Sequence, residues 1–258
     1  MGVLNCTPDS FYDGGRHSGP GEAITRGMAL AEEGADLIDV GGESTRPGAY
    51  PVDAEEEWGR IGPVLVALVA RGLTVSVDTT KALVAERACR EGARLINDVS
   101  GGTMDPDLFA VAARQKVGLV ISHIRGTPRT MQEAPHYQDL MGEIGSFLRS
   151  KAGEALAAGL PRESLVVDPG IGFGKTLEHN LEIVRRLRVL QSLGFPILVG
   201  LSRKSFIGRL TGLPPEERLE GSLGATAAAV AAGADLVRVH DVEATVRMLA
   251  VLDPIVRG

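Results

Sequence analysis

Eight short apolar segments alternate strictly with eight longer amphipathic segments along this chain of 258 residues, a pattern that predicts a (β/α)8 barrel built by residues 1–258 as one domain. Three observations carry that prediction. Strict alternation demands parallel strands joined by crossover helices. Eight such units in about 250 residues match the size of a closed barrel. Residues 34–39 (GADLID), 92–97 (GARLIN) and 233–238 (GADLVR) also repeat one template. In each, Gly-Ala closes a helix, the glycine suits a left-handed C-terminus, and the following strand finishes on a polar residue. An open, doubly wound sheet is the alternative arrangement of the same alternation.

In chain order, the first strand is expected over 2–5 and the first helix over 21–34. Strand 36–40 leads to helix 54–71, where Trp58 and the spaced apolar residues form a face for the barrel. Its acid run, Glu55-Glu56-Glu57, is expected as a solvated first turn, which the helix dipole favours. Strands 73–78 and 94–98 precede helices 81–91 and 106–116. Strand 117–122 is followed by a long polar connection, 125–136, expected on the surface, and then by helix 137–159. Strands 165–168, 196–200 and 235–240 lead to helices 177–193, 217–232 and 241–256. Of the 33 glycines, more than half fall between these segments, as short turns require.

Composition excludes several functions. A net charge of −6 argues against nucleic acid as the main partner, because phosphate-backbone binders carry a basic face. The longest apolar run, 64–70, is far too short for a membrane span, and no basic stretch with an apolar core suggests a secretory signal. Two cysteines, Cys6 and Cys89, build neither a disulfide framework nor a cysteine zinc site, so a cytoplasmic location is expected.

The strand ends carry the chemistry. They read Asn5, Asp39, Asp78, Asn97, Ser122-His123, Asp168, Ser202-Arg203-Lys204, and Arg238 with His240. In a parallel barrel these ends share one mouth, where such folds place their sites. Asp78, Asn97 and Asp168 suit a flat heterocycle with ring N–H and amino donors. Arg46, Arg203, Lys204, Arg238 and His240 form a cationic set that implies a phosphate or diphosphate. Asn5, an uncharged oxygen donor beside that anion, suits Mg²⁺ shared with substrate phosphates. Residues 169–176 (PGIGFGKT) fall one glycine short of a phosphate-binding loop, and their glycines are expected to let the chain pass close to a ligand. Cys6 is expected as a packed thiol, and His17, His136 and His179 as solvated side chains.

These motifs occur together: LNCTPDSF from Leu4, IDVGGESTRPG from Ile38, SVDT from Ser76, INDV from Ile96, DPGIGFGK from Asp168, SRKS from Ser202 and RVHDV from Arg238. In order and over the whole chain the set resembles the dihydropteroate synthase family. The resemblance implies a single-domain TIM barrel, a homodimer, and a folate-pathway transferase that is the target of sulfonamides. Such an enzyme joins 6-hydroxymethyl-7,8-dihydropterin diphosphate to p-aminobenzoate, giving 7,8-dihydropteroate and diphosphate. The resemblance further implies that Asp78, Asn97, Asp168 and Lys204 hold the pterin, with Phe173 lining its pocket. Asn5, Arg46, Arg238 and His240 would serve the diphosphate, Asn5 also standing near Mg²⁺. Phe11, Thr45, Pro47 and Ser205 would shape the p-aminobenzoate site. Arg46, Lys204, Arg238 and His240 are the expected catalytic residues.

Three departures from the family pattern stand out. Family members carry about another strand of chain before the first motif, so the first strand is expected to be short or preceded by further chain. Ser122-His123-Ile124 stands where the family often has Met-His-Met, and Cys6 where valine is common. The expected chemistry is a dissociative displacement, because an arylamine is already neutral and nucleophilic and the hard step is departure of diphosphate. A pterin-binding methyltransferase and a catalytically silent pterin binder are the alternatives; neither needs the cationic set.

Overall fold

The computed structural model describes residues 1–7, 12–13, 16–17, 19–45 and 48–258. The eight expected strands are present: β1 (Gly2–Asn5), β2 (Ile38–Gly41), β3 (Val75–Asp78), β4 (Leu95–Asp98), β5 (Gly118–Ser122), β6 (Leu165–Asp168), β7 (Leu198–Val199) and β8 (Leu236–Val237). The crossovers hold helices α1 (Pro20–Glu32), α2 (Ala54–Val69), α3 (Ala82–Arg90), α4 (Asp107–Gln115), α5 (Leu140–Ala157), α6 (Leu177–Arg186), α7 (Ser205–Thr211), α8 (Leu219–Ala231) and α9 (Val242–Val256). A short antiparallel ladder pairs Tyr12–Asp13 with Arg16–His17 in the connection after β1.

β1 to β6 form one parallel sheet in chain order, and β7 pairs with β8 in parallel. Two single bridges close the ring, Val167 with Ile197 and Gly2 with Val239. Val3 N donates to Val239 O at 2.9 Å, and Val167 N to Pro196 O at 2.9 Å. The sheet is therefore a closed barrel, and the open, doubly wound alternative is wrong. β7 and β8 are shorter than the sequence predicts for a local reason. Pro196 has no N–H to offer, and Ile197 N is capped by the Asp235 side chain at 2.9 Å instead of by a strand neighbour.

The Gly-Ala repeat is one cap used three times. Gly34, Gly92 and Gly233 have φ of +102°, +108° and +102°. The following alanine N–H returns to the same helix position each time: Ala35 to Leu30, Ala93 to Ala88 and Ala234 to Ala229, all at 3.0 Å. Helix α6 ends earlier than expected. Its last stretch tightens into a 3₁₀ segment, Leu187–Leu193, whose buried Leu187, Leu190 and Leu193 follow a three-residue period. The short helix α7 was not visible as a periodic pattern; it buries only Phe206 and Ile207.

The core fills the barrel and the seam between barrel and helices. β2, β3 and β5 are buried almost throughout, as parallel strands covered by helices must be, and in β2 and β3 Asp39, Ser76 and Asp78 alternate with the apolar side chains. α2 turns Ile61, Val64, Leu65 and Leu68 inward, and this face overturns one expectation. Glu57 lies four residues before Ile61, on the buried face, and is fully buried rather than solvated. Glu55 and Glu56 do stand at the surface, paired with Arg87 and Arg60. Among the described residues no helix is long and apolar enough to cross a membrane.

Candidate functional site

Strand register builds the mouth. Asn5 pairs with Gly41, Gly41 with Asp78, and Asp78 with Asn97, so one row crosses β1 to β4. On the far side Ser122 pairs with Asp168. Residues paired in a parallel ladder share a face, so Asn5, Asp78 and Asn97 point together into the mouth, and Asp39, two residues before Gly41, points there one layer deeper. Gly41 leaves the row open; a Cβ there would stand 3.3 Å from the Cβ of Asp78.

Arg238 is the centre of this row. Its Nε donates to Asp39 Oδ2 at 2.5 Å and its Nη2 to Asp78 Oδ2 at 2.7 Å. Asn97 Nδ2 donates to the same Asp39 Oδ2 at 2.9 Å, while the buried Asp39 Oδ1 has no partner. Burial pushes the Asp78 carboxyl up to about 7, with Arg238 holding it down and Asp39 adding repulsion. Burial works against the Arg238 charge, yet the Asp39 and Asp78 carboxylates outweigh it and hold the guanidinium pKa above its ordinary value. Sequence reasoning separated a pterin-recognising set from a cationic set; in the fold the two interlock. It also named Asp39 among the strand ends without giving it a role. The available signal was Asp39 as the second acidic residue on a face that carries an interior arginine.

Asp168 is buried at the end of β6. Its Oδ1 accepts from Gly170 N at 2.7 Å and its Oδ2 from Ser122 Oγ at 3.3 Å. Burial raises its carboxyl pKa, against the Gly170 hydrogen bond and the Lys204 and Lys175 charges. Burial brings Lys204 down to about 8 despite the Asp168 carboxylate. The Lys204 ammonium stands 4.2 Å over the Phe173 ring, a cation–π contact that joins two expected pterin residues.

His240 and Arg203 differ from expectation. Burial and then the Arg238 charge bring His240 down to about 4, so at neutral pH it is an uncharged ring and not a cation. Ser202 Oγ accepts from the His240 backbone N–H at 3.2 Å and lies 3.0 Å from His240 Nδ1. A neutral ring whose Nδ1 accepts the serine proton keeps its N–H on Nε2. Arg203 is held by Asp241 through two bonds, at 3.0 and 2.5 Å, and so leaves the anion set.

The connections after β5 and β6 wall the mouth together. Ile124, Val99 and Met131 are buried in a small cluster against Phe173, so the 125–136 connection is partly packed and not wholly superficial. The glycines of 170–174 make close approaches to neighbouring chain: a Cβ on Gly170 would stand 1.9 Å from His123 O, and one on Gly174 2.6 Å from Arg125 O. Gly172 is the exception, because it faces Lys204. Gln132 and Tyr137 tie the two connections further by donating to Gly172 O at 2.7 Å and Gly174 O at 2.8 Å. His179, expected in solvent, closes a capping box with Thr176 at the start of α6. His136 is exposed, as expected. Cys6 is buried and its thiol pushed up to about 12, a packed group.

Sequence reasoning missed Lys175. It is buried, with Nζ 2.9 Å from His123 Nδ1, 2.9 Å from Phe173 O and 3.3 Å from His123 O. It thereby joins the two walls with three neutral acceptors. Burial, partly offset by Asp168, brings its ammonium down from 10.5 to about 7. The unfolded chain therefore keeps this proton to higher pH than the folded one, and stability gains a component that rises from about pH 7 to about pH 10.5. Lys175→Met is expected to remove that rise. Urea unfolding of both proteins across this range checks it; identical slopes would contradict the assignment.

Thr45 is half-buried in the connection after β2, and Ser205 is exposed as the first residue of α7. Asn5 is partly exposed at the end of β1. Phe11, Arg46 and Pro47 lie outside the described residues.

Known proteins resemble this chain over its whole length. A family model described as "Pterin binding enzyme" matches residues 1–240. The dihydropteroate synthase of Synechocystis sp. is 46% identical over 259 residues, covering 100% of this chain and 90% of that protein. A solved Yersinia pestis dihydropteroate synthase with a sulfonamide drug complex superposes with a TM-score of 0.95 at 41% identity, covering 100% of this chain and 94% of the other. Xanthomonas albilineans dihydropteroate synthase with 4-aminobenzoic acid gives a TM-score of 0.93 at 46% identity, covering 99% and 92%.

Proposed function

The chain belongs to the dihydropteroate synthase family, a family of transferases, and on that premise we propose how its own residues divide the work. The pterin ring is held by Asp78, Asn97, Asp168 and Lys204, with Phe173 against its face. The diphosphate is held by Arg238, His240, Asn5 and Arg46. The p-aminobenzoate lies among Phe11, Thr45, Pro47 and Ser205, with sulfonamides competing for the same place. The observation that carries this reading is Arg238, which bridges Asp39 and Asp78 at the boundary between ring recognition and anion recognition. A guanidinium has five N–H donors, and Nε and Nη2 alone hold the aspartates, so Nη1 is the edge for diphosphate oxygens.

Magnesium fits only as an ion carried with the substrate. Among the described residues no three His, Cys, Asp or Glu side chains gather to hold a metal. The Asn5 amide offers one neutral oxygen, which matches the few protein ligands Mg²⁺ takes beside phosphates. Bound there, Mg²⁺ would neutralise charge on the diphosphate.

The bond from the pterin methylene to the diphosphate oxygen breaks with its electron pair leaving on oxygen, and a C–N bond forms with the arylamine, which releases one proton. Asp78 and Asp168 stabilise the electron-poor pterin left behind. Arg238, Arg46 and the His240 ring N–H stabilise the departing charge. No strong base is required, in keeping with the neutral His240. One domain, residues 1–258, carries all of these groups. Val251 and Ile255 stand 65% and 74% exposed one turn apart on α9, and a second copy of the chain in a homodimer would cover such side chains. Free Cys6 and Cys89 suit a reducing cytoplasm.

The test follows diphosphate release from the pterin diphosphate with Mg²⁺, with and without p-aminobenzoate, and weighs the product by mass spectrometry. Release that requires the arylamine and yields dihydropteroate is expected. Tight pterin binding without release would contradict the reading.

A further inference from the structure

The connection after β2 runs Gly42, Glu43, Ser44, Thr45, Arg46, Pro47, and its root is fastened at three points behind the mouth. Gly42 packs on α2, where a Cβ would stand 2.8 Å from Ile61 Cγ2 and 3.0 Å from Glu57 O. Gly42 O accepts from Arg60 Nη1 at 2.8 Å. Glu43 is bonded to the Lys81 ammonium, which also donates to Glu57 Oε2 at 2.6 Å.

Lys81 is well placed to relay position. It is the residue before α3 and three residues beyond Asp78, with its backbone N–H on Thr79 Oγ1 at 3.2 Å. Its own place is thus set by the strand that carries the mouth. Glu57 is fully buried in α2 and anchors the ammonium from behind. One buried carboxylate already satisfies one lysine. The second, Glu43, lies on the connection itself, two residues from Thr45 and three from Arg46. Two residues of chain span about 7 Å at most, so a shift at Glu43 reaches Thr45 almost undiminished.

We propose that Lys81, seated on Glu57, is a positioning residue that fixes the root of the connection after β2 through Glu43 and so registers Thr45 against the arylamine. The proposal rests on the reading that Thr45 serves this substrate.

The test uses the full chain with Mg²⁺ and both substrates. Lys81→Met is expected to raise KM for p-aminobenzoate and lower kcat, together by about 10- to 100-fold in kcat/KM, as small misplacements do. The Kd of 6-hydroxymethylpterin, which lacks the diphosphate, should stay within about twofold, a change worth under ~0.5 kcal/mol. Glu43→Gln keeps the Lys81–Glu57 pair and guards against misfolding of the first variant. It should raise KM for the arylamine with little change in Tm. Thr45→Ala reports on the underlying reading and should be non-additive with Glu43→Gln. If Thr45→Ala raises KM while Lys81→Met and Glu43→Gln leave it unchanged, the positioning role is overturned and the substrate connection stands. If none of the three moves KM, the substrate reading of the connection falls and the proposal with it.

Discussion

Arg238→Ala lowers kcat by about 10²- to 10³-fold, the cost of losing one preorganised donor to a developing oxyanion. Binding of a pterin without its diphosphate falls far less. The variant also exposes the second duty of this guanidinium. Without it, Asp39 and Asp78 lose the guanidinium bonded to both, and Asp78, already near 7 because of burial, rises further. The acid limb of kcat/KM should therefore move to higher pH. Stability follows the same sign. A carboxyl whose folded pKa lies above its unfolded value stabilises at low pH and loses that contribution as pH rises through the folded pKa. Arg238→Ala should accordingly be more destabilised at about pH 8 than at about pH 5 in urea unfolding, since above about pH 7 the folded variant still holds a proton on Asp78 that the parent has released. Equal losses in turnover and free-pterin affinity would refute the assignment of Arg238 to the leaving group.

Asp168→Asn weakens pterin binding by about 10- to 100-fold, the range for a hydrogen bond to a charged group. The fold explains why the loss falls on the ligand. Asp168 Oδ1 is engaged by Gly170 N–H, so an asparagine keeps its carbonyl there and turns its NH₂ toward Ser122 and the ring donors. Ser122 can rotate its hydroxyl to accept; a ring N–H cannot. Isothermal titration with the free pterin checks the affinity, and thermal unfolding should change little because the Gly170 bond survives. Unchanged affinity would remove Asp168 from recognition.

Much of this was legible before any coordinates. Alternation, the Gly-Ala caps and polar strand ends are local signals, each written in a few consecutive residues, and they point to the barrel and to Asn5, Asp78, Asn97 and Asp168 at its mouth. Pairings that depend on closure were not legible. Asp39 meets Arg238 across 199 positions of sequence, and Lys175 meets His123 across 52. Glu57 was misread because a run of three acids looks alike from outside, although helical period puts only the third on the buried face. His240 lost its expected charge through burial and its neighbour Arg238, neither of which a motif records. The 3₁₀ segment after α6 and the short α7 escaped because their buried residues are too few to establish an amphipathic period.

The central claim is that the mouth drives diphosphate away before the arylamine bonds. The most direct measurement is the secondary isotope effect on kcat/KM with pterin diphosphate dideuterated at the reacting methylene, taken in Arg238→Ala, where the chemical step is slowed enough to be seen. A normal effect, the undeuterated substrate reacting faster, is predicted, because that carbon becomes trigonal as diphosphate departs. An effect of unity or an inverse one would mean that the amine is already bonding as the diphosphate leaves, and would contradict the account.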